Sequence, residues 1–154
     1  MNIVITLANA IAEHGLSMMI PIVTLLTFTH LRAALLSGRV RENINEMLYE
    51  IPKLTDDNEV QSKHRRSLKR QTDLFLNRHK SLSVVFIMLT ITLLLAMFAI
   101  PLCGSESESL KITGLTFSGS SLACLFIALF FLGREFMAGT STLKEHAAII
   151  DQLE

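Results

Sequence analysis

The chain has 154 residues, 50% hydrophobic and 18% charged, and its 14 basic and 14 acidic side chains cancel. The apolar residues are concentrated in long uncharged runs, which argues against a soluble enzyme, a nucleic-acid binder or a secreted disulfide scaffold. It points instead to an all-α membrane protein with three transmembrane helices.

Residues 1–31 hold Glu13 as their single formal charge, with His14 beside it. Residues 1–14 lack a basic leading region and an A-x-A-like cleavage site. They are expected to be a retained N-terminal outer segment, either lying in the interface or lengthening a tilted first span. The first span is expected over residues 15–36. Gly15 to Leu31 is uncharged over 17 residues, Arg32 can snorkel towards headgroups, and Ala33 to Leu36 extend the run. Pro21 is a candidate kink that membrane helices tolerate.

Residues 37–80 read as a long helical hairpin between the first and second spans. Leu31, Leu35, Ile44, Met47, Leu48 and Ile51 suggest the apolar face of its first arm. Ser37-Gly38 is a point of weakness, and the stretch around Pro52 is a turn. The second arm starts near Asp57 and carries Val60, Leu68, Phe75 and Leu82 near heptad spacing. Glu42, Glu46 and Glu50 form an acidic stripe on the first arm, whereas Lys63, Arg65, Arg66, Lys69 and Arg70 make the second arm basic. An antiparallel turn would set Glu46 against Lys63, and Glu42 against Arg66 or Arg70. The basic residues are either a solvated surface or a docking face for anionic lipid or a protein partner. The apolar seam is thin, so arms from several subunits are expected to bundle.

Ser81 to Cys103 is uncharged over 23 residues and Ile112 to Gly133 over 22, giving spans 81–103 and 112–133. Each run is about 33 Å long as a helix, against a hydrocarbon core of about 30 Å. A short outer loop, 104–111, joins them, and residues 134–154 form a tail. Eleven of the 14 Lys and Arg lie between Arg32 and Lys80. The positive-inside rule therefore makes the hairpin and C-terminal tail cytoplasmic and puts the N-terminus outside.

On one continuous helix, Asn2, Thr6, Asn9, Glu13, Ser17, Thr24 and Thr27 fall within an arc of about 80°. Ile20 and Leu31 share that arc. Such a stripe faces other helices or lines an ion path, with Glu13 forming an acidic ring near the outer mouth. In the third span Gly114 with Ser118, Gly119 with Ala123, and Ser120 with Cys124 and Ala128 have the four-residue spacing of close helix packing. Phe126, Phe130, Phe131 and Phe136 read as lipid-facing or packing bulk. Cys103 and Cys124 sit at different depths, so an intrachain disulfide is not expected. A free Cys103 is favoured over a bridge to another subunit. The five histidines lack zinc-site spacing, although His30 and His79 should lie near the same interface. No phosphate loop, nucleophile elbow or paired-carboxylate motif is present, so neither an enzyme nor a cofactor is expected.

Three motifs carry a family likeness. The first runs from Thr29-His30-Leu31-Arg32 through Ala33-Ala34-Leu35-Leu36-Ser37-Gly38-Arg39-Val40-Arg41. The second is the arm His64-Arg65-Arg66-Ser67-Leu68-Lys69-Arg70, and the third is Phe131-Leu132-Gly133-Arg134-Glu135. Over residues 16–136 the chain resembles an uncharacterised family of small bacterial inner-membrane proteins, domain of unknown function 2721. That family carries an Asn-Arg-Leu-x-Arg-like segment where this chain has Thr29-His30-Leu31-Arg32. The likeness implies a three-span protein of the bacterial inner (plasma) membrane and supplies no activity. Two functions follow from the residues. One is a homo-oligomeric ion- or small-solute-conducting assembly lined by the first helix. The other is a non-conducting scaffold or accessory subunit that docks a partner through its basic arm.

Overall fold

A computed structural model of the chain describes residues 2–51 and 58–150. These are almost entirely helical, with no strand among them: α1 (Asn2–Asn45), a π-helical turn (Glu46–Glu50), α2 (Asn58–Cys103) and α3 (Glu108–Ile150). Stretches within Ile3–Glu50, Gln61–Cys103 and Glu108–Gly139 are long and apolar enough to cross a membrane. The expected turn at Pro52 and the start of the second arm near Asp57 lie outside the described residues.

The expected boundary after Cys103 falls at a helix end, whereas those after residues 14, 36, 80, 111 and 133 lie inside helices. Residues 2–14 are the opening turns of α1, which continues through Gly15, Pro21 and Gly38. Pro21 costs α1 one backbone hydrogen bond, at the Ser17 carbonyl, without ending it. Residues 134–150 likewise continue α3. The helices contribute to two compact units, one of Met1–Thr29 with Val84–Glu154 and the other of His30–Ser83.

The first unit is organised by a seven-residue rhythm. Buried positions are Ala8, Gly15 and Ile22 on α1; Val85, Thr92 and Ala99, interleaved with Leu89 and Cys103, on α2; and Gly114, Ser121, Ala128 and Glu135 on α3. A repeat of seven is slightly shorter than two turns of a straight α-helix, so helices sharing it stay in contact by winding left-handedly around one another. Ile22, Val85, Leu89 and Ala128 form the central cluster, flanked by Leu25, Met88, Leu125 and Leu132. Ala12 lies beside Gly104 and Gly15 beside Ile100, so α1 and α2 run antiparallel there. Gly114 beside Cys103 begins the antiparallel pairing of α2 with α3.

Small residues set the closeness of that last pairing. A Cβ on Gly114 would lie 2.7 Å from Cys103 Sγ and 2.8 Å from the Cys103 backbone nitrogen. The buried small residues are thus Gly114, Ser121 and Ala128, seven apart. Of the four-residue pairs expected from the sequence, Gly119, Ser120 and Ala123 are exposed, and Ser118 and Cys124 are half-buried. Seven-residue spacing wins because it keeps one face towards α2 over the whole helix, whereas a four-residue series drifts off that face.

In the second unit the arms of α1 and α2 are antiparallel. Leu36, Ile51, Leu68, Thr72 and Leu82 are buried, and Asn43 Nδ2 donates to Thr72 Oγ1 at 3.4 Å. Phe75 is half-buried on the heptad series of Leu68 and Leu82. The apolar face expected for the first arm holds at Ile51, which is buried, and at Met47, which is half-buried, and is corrected at its other four positions. Leu31, Leu35, Ile44 and Leu48 are exposed, because the rhythm of α1 passes through Thr29, Leu36 and Asn43 instead.

The π-helical turn has a physical reason within this rhythm. Seven residues after Asn43 is Glu50, whose carboxylate would enter the seam. A π turn takes up one extra residue. The chain thereby rotates so that Ile51 is buried, 2% exposed, and Glu50 faces outward.

Candidate functional site: the outer face of the first helix

The face of α1 opposite Ala8, Gly15 and Ile22 carries the polar stripe. Thr6, Asn9, Glu13, Ser17, Thr24 and Thr27 are all exposed, so none of them packs into the helix–helix seam of its own chain. Their chemistry divides along the helix. Thr24 Oγ1 donates to the Ile20 carbonyl at 2.9 Å and Thr27 Oγ1 to the Val23 carbonyl at 3.0 Å. Hydroxyls folded back in this way are satisfied by their own helix and tolerate an apolar surrounding. Asn9 and Glu13 make no hydrogen bond or ion pair among the described residues. They are the strongly polar end of the stripe.

Contacts within the first unit place that end. Ala12 lies beside Gly104, so Glu13 is level with the α2–α3 turn, where Glu106 and Glu108 are also exposed. Lys111 is the one basic residue of that turn region, leaving this end of the bundle acidic. From Ala12 to Asn2 the helix continues for about 15 Å.

A second set of polar side chains lies in the buried seam and is not evident from the residue types alone. Thr92 is fully buried and donates to the Met88 carbonyl at 2.8 Å, while Ser121 Oγ donates across the helices to the Thr92 carbonyl at 3.0 Å. Thr29 donates to the Leu25 carbonyl at 2.7 Å. Glu135 is 3% exposed and is not unpaired. Its signal in the sequence is its place seven residues after Ala128.

The charged arms do not zip as their spacing suggests. Glu46 Oε1 is 2.9 Å from His64 Nε2, not beside Lys63, which pairs with Glu59 of its own helix at 2.8 Å. Glu42 meets Arg39 at 3.5 Å and not Arg66 or Arg70. Lys63, Arg65, Arg66, Lys69 and Arg70 are all exposed, and the last four form no ion pair among the described residues. The reason is angular. Arg66 and Arg70 lie on the side of α2 away from Leu68 and Thr72, and hence away from α1.

Cys103 and Cys124 are both free thiols, and Cys103 is fully buried. Cys103 is thus the free thiol favoured from the sequence, and its burial leaves it inaccessible for a bridge to another subunit. Among the described residues no group of three or more His, Cys, Asp and Glu is placed to hold a metal ion. His79 Nδ1 is buried without a hydrogen-bond partner among them. Phe126, Phe130 and Phe136 are exposed, and Phe131 is half-buried with its ring edge-to-face on Phe130, 5.9 Å between centroids. No family model, no curated protein and no solved structure matches this chain.

Proposed function

We propose that the protein is a non-enzymatic, homo-oligomeric membrane assembly that conducts an ion or small solute along a path lined by α1. The supporting observation is the outward position of Asn9, Glu13 and Ser17 on a helix whose opposite face is already packed. Glu13 is level with the α2–α3 turn and Asn9 lies beyond it, so both stand at the outer mouth. Ser17, Thr24 and Thr27 continue the same face alongside the apolar runs, where polar groups usually turn towards other helices. Several copies turning these faces inward would replace lipid with water and one another, and Glu13 would then form an acidic ring favouring cations. Thr24 and Thr27 continue the stripe as hydroxyls that offer a passing solute a weakly polar wall.

The basic arm and the family likeness support placement in a bacterial inner membrane, with the N-terminus outside and the arms of α1 and α2 in the cytoplasm. The scaffold reading rests on a different observation, the exposure of Arg65, Arg66, Lys69 and Arg70 without ion pairs among the described residues. Reversing those four charges would abolish capture of a foreign partner and leave membrane insertion intact.

Flux through protein reconstituted in liposomes separates the two readings. Conduction altered in rate or ion preference by Glu13→Gln, in an assembly of unchanged stoichiometry, supports the path along α1. An oligomer that conducts nothing, or one whose conduction is identical before and after that substitution, refutes it.

A further inference from the structure

The second unit carries two charged stripes of opposite sign that its own fold does not bring together. Glu42 and Glu50 are exposed on α1 and the π turn, about 12 Å apart along the axis. Glu42 is held by a loose contact to Arg39, and Glu50 has no ion pair among the described residues. On α2, Arg65, Arg66, Lys69 and Arg70 occupy about 8 Å of helix and are exposed without ion pairs among the described residues. The hydrogen bond between the short side chains of Asn43 and Thr72 sets the relative height of the antiparallel arms. Counting from it, Glu46 is about level with Lys69 and Glu50 with Arg65, so the two stripes overlap along the axis.

We propose that the basic face of α2, centred on Arg66 and Arg70, docks the acidic stripe Glu42–Glu50 of a second copy of this chain. The inference rests on the homo-oligomer reading above and adds the surface that joins the subunits. Copies inserted in one bilayer share an orientation. Stripes at equal height on two different faces then meet side by side without axial offset. Such a head-to-tail contact closes into a ring when its rotation divides a full turn. Anionic lipid fits less well. Arg65 lies fifteen residues, about 22 Å along α2, from Lys80, where the apolar run begins, and this exceeds a screening length of about 8 Å. The acidic stripe on the same unit would also repel headgroups.

The test uses the full chain in nanodiscs, with stoichiometry read by native mass spectrometry and association by dilution. One variant carries Glu42→Lys with Glu50→Lys, and the other carries Arg66→Glu with Arg70→Glu. Both spare Glu46 and His64. Each face then repels its former partner, and each variant alone should associate about tenfold or more weakly than the unaltered chain. Mixing the two should restore association between unlike copies, because the new lysines meet the new glutamates and the original stripes still meet each other. Assembly of the unaltered chain should also weaken between low and high salt.

An oligomer of unchanged stoichiometry and affinity in both variants overturns this interface and leaves the homo-oligomer reading standing. Two weakened variants that fail to restore one another when mixed also overturn it. A monomeric unaltered chain overturns both readings.

Discussion

Replacing Gly114 by alanine tests the closeness of α2 and α3 with the smallest possible perturbation. The added methyl would sit 2.7 Å from Cys103 Sγ, 2.8 Å from the Cys103 nitrogen and 3.0 Å from Leu102 Cβ. Favourable carbon contacts lie near 3.5–4.0 Å, so the two helices must separate by about 1 Å there. The obstructing nitrogen is backbone and cannot rotate away. Overpacking of this kind costs about 1–3 kcal/mol, while alanine returns about 0.5–1 kcal/mol of helix preference, leaving a net loss near 1–2 kcal/mol. Gly119→Ala and Gly133→Ala are the controls, since nothing lies within 4 Å of either added methyl. They should be neutral or more stable. Gly15→Ala should also lower stability, because its methyl would lie 2.5 Å from Ile100 Cγ1 and 2.9 Å from Cδ1, on a β-branched side chain that is stiff in a helix. Detergent-induced unfolding in mixed micelles, followed by far-UV circular dichroism, gives the differences. Equal stability of the Gly114 and Gly119 variants would refute the close approach.

Deleting Tyr49 should be tolerated or stabilising, since it returns Glu46–Ile51 to ordinary α-helix with Ile51 seven places after Asn43. Ile51→Ala should cost about 2–4 kcal/mol in the same unfolding assay. Leu89→Ala, at a side chain 1% exposed, should lower stability by about 2–5 kcal/mol, whereas Phe126→Ala, at an exposed ring, should change it by less than about 1 kcal/mol. Glu135→Ala should cost about 3 kcal/mol by unpairing a buried contact, and exposed Glu106→Ala almost nothing, both read by detergent unfolding. A maleimide should label half-buried Cys124 well before fully buried Cys103 in the folded protein, with equal labelling after denaturation.

Much of this architecture is legible in the order of the residues. Uncharged runs such as Ser81–Cys103 and Ile112–Gly133 announce helices long enough for a bilayer, because backbone groups without water must bond within their own segment. The polar stripe on α1 is legible too, since Asn9, Glu13 and Ser17 share one face of any unbroken helix. The continuity it requires, through Gly15 and Pro21, is a property of the folded chain. Which face of each helix turns inward depends on neighbours distant in sequence. Leu35 and Leu36 are chemically identical, and only the seven-residue contact with α2 buries one and exposes the other. Charge spacing suggested that Glu46 meets Lys63. The π turn, the angular offset of the basic face and the nearby His64 together decide otherwise. Local pattern thus determined the helices and their apolar content. Packing against a partner helix decided which of those side chains form the seam and which charges remain available outside it.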